Sequence, residues 1–383
     1  MIELDEQLRE AGERWRDGER GPVADFARVT ASPPGSRLPR RSWPPLVAAV
    51  AAVAIVVVSA VMLLGGGDSS PRKVVVTPPT TASTTAPDPP SELTLDPEIM
   101  QTGALAIDGS SVWVTGDAPG SHAATLEHID TATGKVVGKV VLGDNGPFQI
   151  AVANRAVWVA SQQNEESAHI TKVDPETMKI TAVIETAGDA SIAVTPDALW
   201  VDVNSGTLLR LDPDTNQVLA TITLPGAGYS AHWIAAGPLG IFLSNNYDGT
   251  ILRVDPATNT VSQFADVGDT AGAIIQLDGS LWVNSGSSVL FELDPTTGAV
   301  RRRFDLGLHM QGLFAFSDGR SLWMRTDGPR VARVDPKSGG MTPVNLPENV
   351  KYVAILAADS STGAVWVAVD EPTPRVLRVA PVT

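Results

Sequence analysis

The 383-residue sequence contains no cysteine, which excludes disulfides, thiolate metal sites, lipoprotein anchoring and a cysteine nucleophile. Aromatic residues are scarce, with three Tyr and eight Phe beside nine Trp, so tryptophan recurs for a systematic reason. No nucleophile elbow, phosphate-binding glycine loop or helical zinc signature is present, so no catalytic residue is assigned and no cofactor is expected. Base is also in short supply, with a net charge of −15. Residues 1–43 hold eight Arg and eight Asp or Glu, leaving 20 bases and 35 acids beyond them. The acid excess therefore falls wholly on the C-terminal part, which repels phosphate backbones and makes nucleic acid an unexpected partner there. Solubility is a sufficient reason for such an excess.

One stretch lacks charge altogether. Residues 44–64 read PPLVAAVAAVAIVVVSAVMLL, which meets the roughly 20-residue length needed to cross about 30 Å of hydrocarbon. A transmembrane helix is predicted. Arg37, Arg40 and Arg41 lie just before it, while Arg72 and Lys73 follow at a distance, which places the N-terminus in the cytoplasm and everything after Gly65 outside. The long preceding segment favours an uncleaved anchor over a signal peptide. Within the 1–43 tail, Leu4, Leu8, Ala11 and Trp15 fall at helical spacing, so a short amphipathic helix is predicted that either frays or docks on a cytoplasmic partner through residues 1–16. Residues 65–91 are dense in Pro, Thr and Ser and read as an extended linker that holds a domain over 92–383 away from the bilayer.

That domain is repetitive. An aromatic-plus-aliphatic pair recurs at Trp113-Val114, Trp158-Val159, Trp200-Val201, Phe242-Leu243, Trp282-Val283, Trp323-Met324 and Trp366-Val367, with spacings of 45, 42, 42, 40, 41 and 43. Between these pairs runs an Asp-Thr or Asp-Pro marker at Asp130, Asp174, Asp212, Asp255, Asp294 and Asp335, degenerating to Val379-Ala-Pro in the last copy. Seven copies of about 42 residues are a propeller period. Four short strands can be read in each copy, separated by Gly, Asn, Asp and Pro turns, so the predicted fold is all-β: a seven-bladed β-propeller of four-stranded blades. In the Asp-Pro-x-Thr-Gly turn, Pro presets φ and Gly or Asn takes the left-handed place. Gly134, Asn216, Asn259 and Gly298 fill it, whereas Met178 fits less comfortably and predicts an altered turn in blade two. Ala106, Ala151, Ala193 and Ala235 lie seven residues before their aromatics, on innermost strands where bulk is limited. The last repeat ends after its third strand, so Leu93 to Leu95 should complete the seventh blade and close the ring.

The repeated x-hydrophobic-Trp-Val and hydrophobic-Arg-hydrophobic-Asp-Pro-x-Thr pattern resembles the YVTN-type and streptogramin-lyase-like seven-bladed propellers. It is carried by LWVDVNSGTLLRLDPDTNQVLATITLP at 199–225 and LWVNSGSSVLFELDPTTGAV at 281–300, and the resemblance spans 93–383. It implies the fold. For streptogramin lyases it would also imply metal-assisted elimination using His and Glu, on strands that tend to read Trp-Phe-Thr-Glu. Here the strands end Val-Thr, Val-Ala, Val-Asp, Leu-Ser, Val-Asn, Met-Arg and Val-Ala, so no glutamate carries over.

Propeller ligands usually meet the face built by the outer-to-inner and second-to-third strand connections. The first set supplies Asp144, Asp189, Tyr229, His232, Asp269, His309 and Glu348; the second supplies Asn204, Asn245, Asn284 and Asp327. Together they predict a polar, net acidic mouth suited to a cation, an amine or a hydroxylated ligand such as a glycan. Asp and Asn also favour tight turns for their own sake. His232 and His309 with carboxylates would suit a divalent metal or acid–base chemistry. The leading expectation is a membrane-tethered extracytoplasmic module that binds an envelope ligand or protein. The alternatives are a lyase or hydrolase using His232 or His309, and a scaffold contacted through its sides.

Overall fold

The computed structural model describes residues 73–74 and 91–379, apart from the short segments 96–98, 100, 118–122, 144–145, 154, 165–166, 204–205, 226–231, 269, 286–287, 308–309, 327–329 and 361–362. The tail over 1–43 and the span over 44–64 lie outside the described residues. Among those described, no helix is long and apolar enough to cross a membrane.

Seven antiparallel four-stranded sheets follow one another along the chain. Blade one is Gln101–Asp108, Ser111–Asp117, Ala124–Asp130 and Lys135–Val141; blade two is Pro147–Ala153, Ala156–Asn164, Ser167–Asp174 and Lys179–Ala187. Blade three is Ala190–Thr195, Ala198–Val203, Thr207–Leu211 and Val218–Thr223; blade four is His232–Gly237, Gly240–Asn245, Thr250–Asp255 and Thr260–Asp266. Blade five is Ile274–Leu277, Ser280–Ser285, Val289–Leu293 and Val300–Asp305; blade six is Met310–Ser317, Leu322–Thr326, Arg330–Val334 and Met341–Asn345. Blade seven takes Ile355–Asp359, Ala364–Val369 and Arg375–Val379 from one end of the repeat array and Ser91–Thr94 from the other. In that closing pair Leu93 lies opposite Val376, so the ring closes as its sequence predicts. Within the linker stretch, Lys73–Val74 pairs in parallel with Arg303 and Phe304 on the outer strand of blade five.

The aromatic-plus-aliphatic pair has a two-sided role. Successive residues of a strand point to opposite faces, so each aromatic faces the following blade while its flanking aliphatics face the preceding one. Trp113 packs with Val157 and Val159 of blade two, Trp158 with Leu199 and Val201 of blade three, and Trp200 with Ile241 and Leu243 of blade four. The series continues through Phe242, Trp282 and Trp323 until Trp366 meets Val112 and Val114 of blade one. The core is thus seven wedges, one per blade boundary. Directly opposite each aromatic on the inner strand stand Ala106, Ala151, Ala193, Ala235 and Ala357. Blades five and six place Ile275 and Phe316 there instead.

On its other side the ring is covered from the third strand. His128 stacks on Trp113 with centroids 4.0 Å apart, Lys172 lies over Trp158 at 5.1 Å and Arg210 over Trp200 at 5.3 Å. In blade five the third-strand position is Glu292, and Arg302, its ion-pair partner opposite on the outer strand, covers Trp282. These cations then reach the next blade's turn: Lys172 Nζ donates to the Pro213 carbonyl at 2.5 Å, Arg210 Nη1 to that of Pro256 at 2.7 Å, and Arg302 Nη1 to that of Lys337 at 2.6 Å. The Asp-Pro turn is therefore also an acceptor for its neighbour.

Each turn aspartate is held below the usual carboxylate range by hydrogen bonds from its own turn. The leading donor is the Thr133 hydroxyl for Asp130 and the backbone N–H of Thr177, Thr215, Ala257, Thr297 and Lys337 for Asp174, Asp212, Asp255, Asp294 and Asp335. The turn of blade two is not altered as expected. Met178 adopts φ 53°, beside 67° at Gly134 and 61° at Asn216, and its N–H meets the Asp174 carbonyl at 2.9 Å as Gly134 meets Asp130 at 2.8 Å. Met178 takes on the left-handed strain because its side chain lies across Gly138 of blade one.

Candidate functional site

The outer-to-inner and second-to-third connections share one face, as expected for the predicted mouth. Asp144, Asn204, Tyr229, Asp269, His309 and Asp327 lie outside the described residues. His232 opens the inner strand of blade four opposite Asn245. Asp189 is half-buried between blades two and three, with a buried Oδ1 that has no hydrogen-bond partner. Glu348 is exposed on the connection from blade six to blade seven.

Asn245 and Asn284 are brought together by the lead-in to blade five. The Asn245 carbonyl accepts from Ala271 N–H at 3.2 Å, and the Asn284 carbonyl accepts from Gly272 N–H at 2.7 Å. Their side chains differ in role. Asn245 Oδ1 accepts from the Tyr247 N–H at 2.8 Å, which is a local turn bond of the kind that makes Asn common in loops. Asn284 is 1% exposed, and among the described residues neither Oδ1 nor Nδ2 has a hydrogen-bond partner. A buried amide left in this state costs about 1–3 kcal/mol, so most are satisfied.

Asn284 belongs to a set that the sequence already aligns, as the strand ends at which no glutamate stands, without showing what its members contact. Two residues after each aromatic, on the same strand face, stand Thr115, Ala160, Asp202, Ser244, Asn284, Arg325 and Ala368. Five of the seven are polar in strands that are otherwise apolar, and that contrast is the signal. Thr115 Oγ1 accepts from the Ala104 N–H at 2.8 Å. Ser244 Oγ donates to the Gly272 carbonyl of the next blade at 2.5 Å. Arg325 donates to the carbonyls of Val353 and Ala354 at 3.1 and 2.6 Å and lies over Tyr352. Asp202 is fully buried. Asn284 holds the corresponding place on the side of blade five that faces blade six.

The inner strands line a half-open central cavity of about 420 Å³, bounded by Leu105, Phe148, Ile150, Ile234, Ile275 and Phe316 and, toward the face opposite the mouth, by Gly237, Pro238 and Gly319; none of the girdle residues lines it. The amide of Gln149 is spent on the backbone of Ile192, and that of Gln276 on Leu239 and Gly240. Both therefore clamp adjacent blades, and the cavity wall is largely apolar. Ala273 and Ile274, next to the Asn284 backbone, form part of it. No group of three or more His, Asp or Glu among the described residues is placed to hold a metal. The arrangement offers an apolar recess and, next to its wall, the Asn284 amide, which has no partner among the described residues. The sequence matches no protein-family model and no curated protein.

Proposed function

We propose that this chain is a membrane-tethered binding module at the cell envelope, and that its propeller takes a small neutral ligand. The ligand has an apolar body and an adjoining hydrogen-bond donor and acceptor, as in an amide or a sugar diol. One observation carries the reading: next to the wall of an apolar cavity, Asn284 holds a buried donor and a buried acceptor that have no hydrogen-bond partner among the described residues. A cavity of about 420 Å³ falls within the range of roughly 300–1,000 Å³ typical of small-molecule sites. A β-propeller is in general a binding or scaffold module, and the resemblance to YVTN-type propellers accords with the seven blades. The uncharged run over 44–64 and its preceding arginines support the tether and the outward display.

Replacing Asn284 by Leu tests the site. The isosteric change removes the desolvation penalty, so the variant is expected to be about 1–3 kcal/mol more stable in chemical denaturation. It should also lose the thermal shift that sugars or amides give the full-length chain in detergent. A variant that responds to ligands as the wild type does would sink this reading. Alkaline phosphatase fused after the propeller reports the topology: an inactive fusion would place the domain in the cytoplasm.

A further inference from the structure

Blades three and six place different charges on the same scaffold, on the face opposite the mouth. The equivalence is fixed by geometry. Trp200 pairs with Arg210 and Trp323 with Arg333, and the indole N–H donates to Thr195 Oγ1 in blade three and to Asp318 Oδ2 in blade six. Counting from these anchors, Arg320 stands where blade three has Asp197, and Lys337 stands where it has Asp214. In blade three the Asp197 carboxylate meets Arg210 Nη2 at 2.7 Å. In blade six that carboxylate is replaced by a second guanidinium.

The exchange leaves a cleft of about 320 Å³ bounded by Arg320, Ser321, Arg333, Asp335, Lys337 and Thr342. Arg320 and Lys337 are exposed, and neither side chain forms an ion pair among the described residues. Arg333 Nε donates to the buried Ser321 Oγ at 2.8 Å, which leaves the hydroxyl proton free to donate onward. The carboxylate in the cleft wall, Asp335, already accepts the N–H groups of Lys337 and Ser338 at 2.7 and 3.4 Å. With the buried Asp318, whose Oδ1 accepts the N–H groups of Arg320 and Ser321 at 2.9 and 2.6 Å, three cations stand against two carboxylates, a local net charge of +1 in a strongly acidic chain. Residues 300–337 hold eight of the 20 bases that follow residue 43.

We propose that this cleft on blade six binds an oxyanion of the phosphate class, seated where the Asp197 carboxylate sits in blade three. Arg320, Arg333 and Lys337 supply the charge, and Ser321 supplies a buried donor. Forked guanidinium contacts to phosphate oxygens are among the stronger charge-assisted hydrogen bonds. The phosphate comes either from a free or monoester anion or from a phosphodiester such as a lipid headgroup.

Calorimetric titration of the full-length chain in detergent, with inorganic phosphate and separately with glycerophosphoglycerol, tests the site. Saturable binding of either is expected: phosphate alone indicates a free or monoester anion, and the diester alone indicates a headgroup or polymer. Arg320→Asp should restore the ion pair of blade three, keep or raise the melting temperature, and weaken binding by roughly thirtyfold or more. Lys337→Ala, at an exposed position that leaves the fold intact, should weaken it roughly tenfold. Absence of saturable binding to both probes would overturn the proposal, as would affinities within about twofold of wild type in both variants.

Discussion

At the turn between the third and outer strands, the left-handed residue of one blade and the outer-strand residue of the preceding blade are matched in size. Met178 lies over Gly138, Gly339 against Phe304, and Gly298 against the Phe264 backbone. A Cβ at Gly298 would sit 2.1 Å from the Phe264 carbonyl oxygen, whereas one at Gly109, also left-handed, meets nothing within 4 Å. Gly298→Ala should therefore destabilise the protein by about 2–4 kcal/mol, and Gly109→Ala by only the backbone term of about 1 kcal/mol. Equal losses in chemical denaturation would show that the close approach is unimportant. A second prediction concerns pH. Burial holds the His128 imidazole below its ordinary value, with Asp130 opposing, so the unfolded chain takes the proton first and stability falls as pH drops through about 6.5. The turn aspartates have the opposite charge type but the same consequence. Their depressed values mean that stability is present above the unfolded value of about 3.9 and is lost as pH falls below it. Stability measured against pH should decline in two steps, and His128→Phe, which keeps the stack on Trp113, should remove the upper one. An unchanged profile between pH 7 and 5 in that variant would contradict the assignment.

Single strands were the most legible elements, because the tryptophan spacing reports one strand per blade and the Asp-Pro marker reports another. Ring closure by Leu93 followed from counting strands alone. What the chain order concealed was anything set by a neighbour about 42 residues away. The fit of Met178 depends on Gly138, and the reach of Arg210 to Pro256 depends on the following repeat. The polar girdle is visible in the sequence as a row of strand ends, but Asn284 reads there as a turn-proximal asparagine, and only the structure shows its amide without a partner among the described residues. Of the mouth residues expected from sequence, the structure links Asn245 to Asn284 through the lead-in to blade five, and it leaves Glu348 exposed elsewhere. The closing strand gives the test at this scale. Leu93 is 3% exposed in the wedge between blades seven and one, and Leu93→Asp should cost more than the roughly 2–5 kcal/mol of a core Leu→Ala truncation. A variant that unfolds at the wild-type denaturant midpoint would show that Ser91–Thr94 is dispensable.

A closed ring differs from an open repeat array in having no end at which to fray. Each wedge is shared between two blades, so removing one blade exposes two interfaces, and unfolding should be a single transition rather than the graded loss typical of solenoids. Tryptophan fluorescence and far-ultraviolet dichroism should give coincident midpoints for the propeller; separated midpoints would indicate independent blades. Charge is also organised at this scale: residues 300–337 hold eight bases and four acids within an otherwise acidic chain. The parallel pairing of Lys73–Val74 with Arg303–Phe304 has a mechanical meaning. Tension entering from the N-terminal side meets this two-residue latch before it meets Ser91–Thr94. With two paired residues against four in the clasp at blade seven, the latch is expected to give way at the lower force, which pulling on the N-terminus would read as a small first step.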